Sequence, residues 1–137
     1  MWVAKAGSYH YLHDTPTSPG ALYSRYITDA PKNFAFKCHR VREPDGAGTV
    51  AYPVNAVRWR PGHPDQFATA GADGSVAVWD AARRRNVAKV PRADTSVADV
   101  DWNHDGSLFA IAVSYTYEQG EREHAPDALR VMASPAP

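Results

Sequence analysis

With a single cysteine, Cys38, the chain cannot close an intrachain disulfide, so packing and hydrogen bonds must hold its fold. A lone thiol also suits a reducing compartment. Neither sign of charge is in excess: 15 Lys and Arg balance 15 Asp and Glu. No overall field therefore draws in nucleic acid or an anionic membrane, and recognition by charge must be local. Long apolar runs are missing too. The longest, Leu108 to Val113, is far below the roughly 18 residues of a membrane span. The opening Met1-Trp2-Val3-Ala4-Lys5-Ala6-Gly7 has no apolar stretch of signal-peptide type. The expectation is a soluble, intracellular protein with no membrane partner.

Signatures of catalysis are equally scarce. The sequence has no Gly-x-Ser-x-Gly elbow, no Gly-rich phosphate loop leading into a helix and no metalloprotease histidine pair. Cys38 and His39 are adjacent, so on a strand they face opposite ways and do not serve one metal. His10 and His13 would share a face only on a helix, which the surrounding Gly, Pro, Ser and Thr do not support. His104-Asp105 and Glu123-His124 fall in a turn and an insertion. The expectation is a protein that is not an enzyme and carries no metal and no cofactor.

What the chain does have is a repeat. Val57-Arg58-Trp59-Arg60-Pro61 returns as Val100-Asp101-Trp102-Asn103-His104, and Phe67-Ala68-Thr69-Ala70 returns as Phe109-Ala110-Ile111-Ala112. The period, about 42 to 43 residues, is that of one four-stranded WD40 propeller blade, roughly 40 to 45 residues. A blade buries its faces only against other blades, so the pattern implies a radial stack that offers edges and loops to partners. Two repeats do not close a ring. The chain is either a piece of a longer propeller or completes its ring with another molecule.

Residues 1 to 31 mix Gly, Pro, Ser, Thr and His with Tyr9, Tyr11, Tyr23 and Tyr26 and show no useful periodicity. They read as a poorly ordered leader or a divergent remnant of an upstream blade. A strand Phe34 to His39 follows, with Phe34, Phe36 and Cys38 on one face, and then a polar loop Arg42 to Gly48. The first full repeat places strands near Asn55 to Trp59, Phe67 to Gly71, Ser75 to Trp79 and Asn86 to Val90. Between the second and third, Ala72-Asp73-Gly74 signals a tight two-residue hairpin turn, since Asp-Gly tolerates positive φ. Trp79-Asp80 is the dipeptide that names the repeat. The second repeat has strands Val97 to Trp102, a buried Leu108 to Val113 and, after a charged insertion Tyr117 to Asp127, Ala128 to Met132. Prolines 135 and 137 end the ladder in the tail 133–137.

The segments Phe34-Ala35-Phe36-Lys37-Cys38-His39-Arg40, Tyr52-Pro53-Val54-Asn55-Ala56-Val57, Phe67 to Gly74 and Val78-Trp79-Asp80 resemble the last blades of the spindle checkpoint WD-repeat family, the budding-uninhibited-by-benzimidazole group. Ala110 to Glu118 and Glu123-His124-Ala125-Pro126-Asp127 extend the match, which covers residues 32–132. The sister family, the WD-repeat mRNA export factor, shares Phe-Lys-Cys-His-Arg but is less similar around Tyr52 to Asn55 and from Ser114 to Asp127.

The resemblance implies an all-β, seven-bladed, non-catalytic scaffold, of which this chain is about two blades plus one strand. It implies a checkpoint role in the nucleus and at the kinetochore, with cytoplasm as a further location; the sister family implies mRNA export. Checkpoint kinases, or a nucleoporin, bind the family through a short acidic segment paired to an arginine after Glu-Gly. No Glu-Gly-Arg precedes Phe34 here. The checkpoint branch also docks phosphorylated Met-Glu-Leu-Thr repeats of a kinetochore scaffold, with a basic residue at the position of Lys37. Arg40 adjoins it, and a phosphothreonine needs such cations. Without the resemblance Lys37 reads as a solvated strand residue. The family places Asp73 as a brace and Trp79 beside it, with Gly74 and Asp80 completing the structural positions. Arg83-Arg84-Arg85 forms a basic knob on a turn, serving solubility and edge protection, or secondarily an acidic peptide or nucleic acid. A third reading, a truncated propeller without function, rests on the unfamiliar leader.

Overall fold

The computed structural model describes residues 34–46 and 48–135, together with the backbone of residues 10–14 and 21–26. It is all-β. Among the described residues twelve strands follow in order: β1 His10–Asp14, β2 Ala21–Tyr26, β3 Phe34–Lys37, β4 Arg40–Arg42, β5 Thr49–Ala51, β6 Val54–Trp59, β7 Gln66–Gly71, β8 Val76–Asp80, β9 Arg85–Val90, β10 Val97–Trp102, β11 Leu108–Val113 and β12 Ala128–Ala133. They form a four-stranded meander β6-β7-β8-β9, three-stranded sheets β1-β2-β3 and β10-β11-β12, and a small hairpin β4-β5.

The repeat is a repeat of register. Trp59 pairs with Phe67 across β6 and β7, and Trp102 pairs with Phe109 across β10 and β11. The rings touch at centroid distances of 5.0 and 4.6 Å. A bulge interrupts the ladder between Val54 and Ala56 and again between Val97 and Asp99. Each phenylalanine faces the preceding sheet. Phe67 packs with Phe34, Phe36, Val57 and Trp79. Phe109 packs with Trp102, Ala56, Ala68, Ala70, Val76 and Val78. One interface has thus been built twice, a repeat period apart, as a radial stack requires. Polar links add to the second: Asn55 Nδ2 donates to the Val97 carbonyl at 2.8 Å, and Arg58 pairs with Asp99 at 3.0 Å.

Among the described residues nothing is stacked on the outer face of the last sheet. Register makes Leu129 the counterpart of Val76 and Val131 the counterpart of Val78. Val76 and Val78 are buried by the next sheet, whereas Leu129 is 72% and Val131 61% exposed. Apolar surface of this kind drives association. Changing both Leu129 and Val131 to lysine is expected to reduce light scattering and the sedimentation coefficient of the chain. Unchanged sedimentation would show that this face is not adhesive.

Several expectations are corrected. Strands β1 and β2 lie where the sequence shows no periodicity, and β2 pairs with β3 from Ala21↔Lys37 to Ser24↔Phe34. Strand β3 is thus the edge of the three-stranded sheet β1-β2-β3. The tyrosine side chains of the leader lie outside the described residues. The strand begun at Phe34 ends at Lys37 because His39 adopts φ +49° and turns the chain. Cys38 and His39 are consequently both buried rather than on opposite faces. Arg42, where the polar loop 42–48 begins, ends β4, which pairs with β5 from Thr49. Strand β11 alternates instead of being buried throughout: Phe109, Ile111 and Val113 are inside, and Leu108 is 47% exposed.

The Asp-Gly turn differs as well. Gly74 has φ +77°, while Asp73 is absent from the left-handed residues. The bonds Gly74 N–H to Gly71 O (3.1 Å) and Gly71 N–H to Ser75 O (3.2 Å) close a three-residue loop ending in a left-handed glycine. Gly74 is also crowded: a Cβ there would lie 2.6 Å from the Ala93 carbonyl oxygen. Gly74→Ala is expected to cost about 1–2 kcal/mol from the left-handed conformation alone, seen as a lower midpoint in urea. A midpoint equal to wild type would contradict this.

Candidate functional site

The site grows from the turn at His39. Left-handed geometry drops the imidazole behind Asp73, with Nδ1 2.8 Å from Asp73 Oδ1 and Nε2 3.0 Å from Thr69 Oγ1. Trp79 Nε1 donates to the same Thr69 oxygen at 2.9 Å, and Ser75 Oγ donates to Asp73 Oδ2 at 2.7 Å. Gly71 must be glycine here, because a Cβ would strike the His39 ring. The chain runs from one sheet into the next through this network. Burial pushes the Asp73 carboxyl up, and the hydrogen bonds from His39 and Ser75, with the His39 charge, outweigh it and hold the group at about 2. Histidine, serine and aspartate meet here, yet Ser75 and Asp73 both address Nδ1 (3.0 and 2.8 Å). A base must take the serine proton on one ring nitrogen while the carboxylate holds the other. The arrangement is a brace.

The last sheet lacks this brace. Register replaces Thr69 by Ile111 and Trp79 by Met132. The insertion instead brings back Glu118, which accepts from Ser96 Oγ at 3.1 Å and from Thr116 Oγ1 at 2.8 Å. Among the described residues, no group of three or more His, Cys, Asp or Glu side chains is arranged to hold a metal ion.

Beside the brace runs a groove of about 400 Å³. One wall is Lys37 to Val41; the other is formed by β8 and β9, with Asn86, Lys89 and Arg92. Two of the expected site residues, Lys37 and Arg40, are thereby brought together. Lys89 and Arg92, which the sequence does not single out, join them from some 50 residues away. Lys37 and Lys89 are exposed, and Arg92 Nε donates to the Asp73 carbonyl at 2.6 Å. Among the described residues the lining holds one carboxylate, Asp73, which is engaged by His39 and Ser75. In a chain of zero net charge, four cations thus surround one cleft. Such a cluster makes the cleft locally electropositive.

The basic knob does not contribute to the groove. Arg83 caps Asp80, donating N–H to Oδ1 at 2.7 Å and pairing with Oδ2 at 3.3 Å. Arg84, at φ +54°, lies over the Phe34 ring at 5.8 Å, and Arg85 pairs with Asp80 in the β8-β9 ladder. Asp80, 7% exposed, serves this turn.

Stacked meanders, a register repeated at the period of one blade and the Asp-His-Thr-Trp brace define a class: the chain belongs to the WD40-repeat proteins, as part of a β-propeller. Within that class its homologues are the Bub3 mitotic checkpoint proteins and the RAE1/GLE2 mRNA export factors. It is 39% identical over 114 residues to the mitotic checkpoint protein bub3 of Dictyostelium discoideum, covering 80% of this chain and 34% of that protein. It is 38% identical over 102 residues to the mitotic checkpoint protein BUB3.1 of Arabidopsis thaliana, covering 74% and 29%. The mRNA export factor GLE2 of Chaetomium thermophilum is 36% identical over 119 residues, covering 85% and 33%. The chain spans about a third of the length of these relatives. No family model matches it.

Proposed function

We propose that the chain is part of a non-catalytic WD40 scaffold of the spindle checkpoint, acting in the nucleus and at the kinetochore, that captures a phosphorylated, acidic peptide of a kinetochore scaffold in the Lys37–Arg40 groove. The observation that carries this is the convergence of Lys37, Arg40, Lys89 and Arg92 on one cleft where the carboxylate among the described lining residues, Asp73, is already engaged. A phosphothreonine brings close to two negative charges and three acceptor oxygens to such a site. The kinase-binding mode of the family calls on an arginine after Glu-Gly, which this sequence lacks before Phe34. The groove, rather than that arginine, is therefore the docking element here. The match to the GLE2 export factor over 85% of the chain supports a second reading, an export scaffold binding a nucleoporin through an acidic segment.

Calorimetric titration with a Met-Glu-Leu-phosphothreonine peptide tests the first reading. Lys37→Glu is expected to weaken binding by about 1–3 kcal/mol, the worth of one charge-assisted contact. Equal affinities for wild type and variant, or equal affinities for phosphorylated and unphosphorylated peptide, would refute it.

A further inference from the structure

A side-chain donor in the groove is left unpaired by the described residues. Asn86, opposite Trp79 on the β8-β9 ladder, has its Nδ2 group buried without a hydrogen-bond partner. Native structures leave few buried donors unpaired. The nearby network does not absorb it: Trp79 Nε1 and His39 Nε2 already address Thr69, and Ser75 addresses Asp73. Asn86 lines the same wall as Lys89, an exposed cation on the same strand. A buried amide donor and an exposed ammonium together match a carboxylate, which accepts a directed hydrogen bond and pairs with a point charge.

We propose that Asn86 and Lys89 form a second acceptor subsite, which takes the side-chain carboxylate of a glutamate or aspartate in the extended peptide whose phosphate lies at Lys37 and Arg40. The proposal rests on the phosphopeptide reading above and deepens it. The ligand becomes a segment with two anionic side chains, and the groove reads the second as well as the phosphate. Side chains of an extended peptide alternate, so acids two residues either side of the phosphothreonine share its face.

Two phosphothreonine octapeptides labelled with fluorescein test this by anisotropy, one with glutamates two residues before and after the phosphothreonine, the other with glutamines there. Wild type is expected to prefer the glutamate peptide about fivefold. Lys89→Gln and Asn86→Ala are each expected to abolish that preference. Asn86→Ala is further expected to melt at or above the wild-type temperature, because it removes an unpaired buried donor. A lower melting temperature with the preference intact would make Asn86 a structural residue and overturn the inference. So would equal binding of the two peptides by wild type, and in that case sensitivity to Lys37→Glu still supports the phosphate reading. If Lys37→Glu changes neither affinity while Lys89→Gln abolishes the preference, the phosphate assignment falls and the carboxylate subsite stands.

Discussion

Trp79→Ala is expected to destabilise the chain by about 3 kcal/mol, near the lower end of the range for removing a large aromatic. The indole meets Phe36 at a centroid distance of 4.6 Å and stacks near Phe67 at 6.4 Å. It therefore joins β3 to the four-stranded meander and closes the cluster around Cys38, Val57 and Phe67. Its N–H also satisfies Thr69, so alanine leaves both a void and a less satisfied buried hydroxyl. Trp79→Phe keeps most of the ring contacts and gives up the hydrogen bond, so it is expected to cost about 1 kcal/mol. Urea unfolding of the two variants separates packing from hydrogen bonding. A Trp79→Ala protein that unfolds like wild type but fails to bind peptide would move this residue from the fold to the recognition surface.

Asp73→Asn is expected to cost about 2 kcal/mol at neutral pH, since it discards the charge that His39 and Ser75 were arranged to hold. The penalty depends on pH in a definite direction. Asp73 titrates at about 2 in the fold against an ordinary 3.8. Its ionised form therefore contributes stability in full above about pH 4, and that contribution disappears as the pH falls towards 2. The wild-type and Asp73→Asn proteins should accordingly differ at pH 6 and converge near pH 2. Denaturant unfolding at a series of pH values reads this directly. A difference that stays constant down to pH 2 would mean that the carboxylate is not held ionised by its partners.

The blades were legible because Trp59 and Phe67 recur as Trp102 and Phe109 and the apolar pattern alternates around them, which fixes both strand positions and the face each presents. What escaped the sequence has identifiable physical causes. The segment His-Tyr-Leu-His-Asp of β1 does not alternate, and its strand is defined by pairing to β2. Strand β4 is only Arg-Val-Arg, too short to carry a period. The Asp-Gly dipeptide announced a turn but not its length, which depends on a single left-handed residue. His39 resembled a strand residue, although its partner Asp73 lies 34 positions away. Three consecutive arginines stood out as a patch, yet Arg83 and Arg84 are engaged locally with Asp80 and Phe34. Of the candidate site, Lys37 and Arg40 were legible by resemblance. Lys89, Arg92 and Asn86 join them only when β9 folds back beside β8.

Hydrogen-deuterium exchange of the chain with and without a Met-Glu-Leu-phosphothreonine peptide measures most directly whether this groove is the docking site. The account predicts added protection in two separate segments, residues 37–41 and 86–92, with the turn at Arg83 to Arg85 and the strand β12 unchanged. Protection confined to Arg83 to Arg85 or to β12, or no protection at saturating peptide, would contradict it.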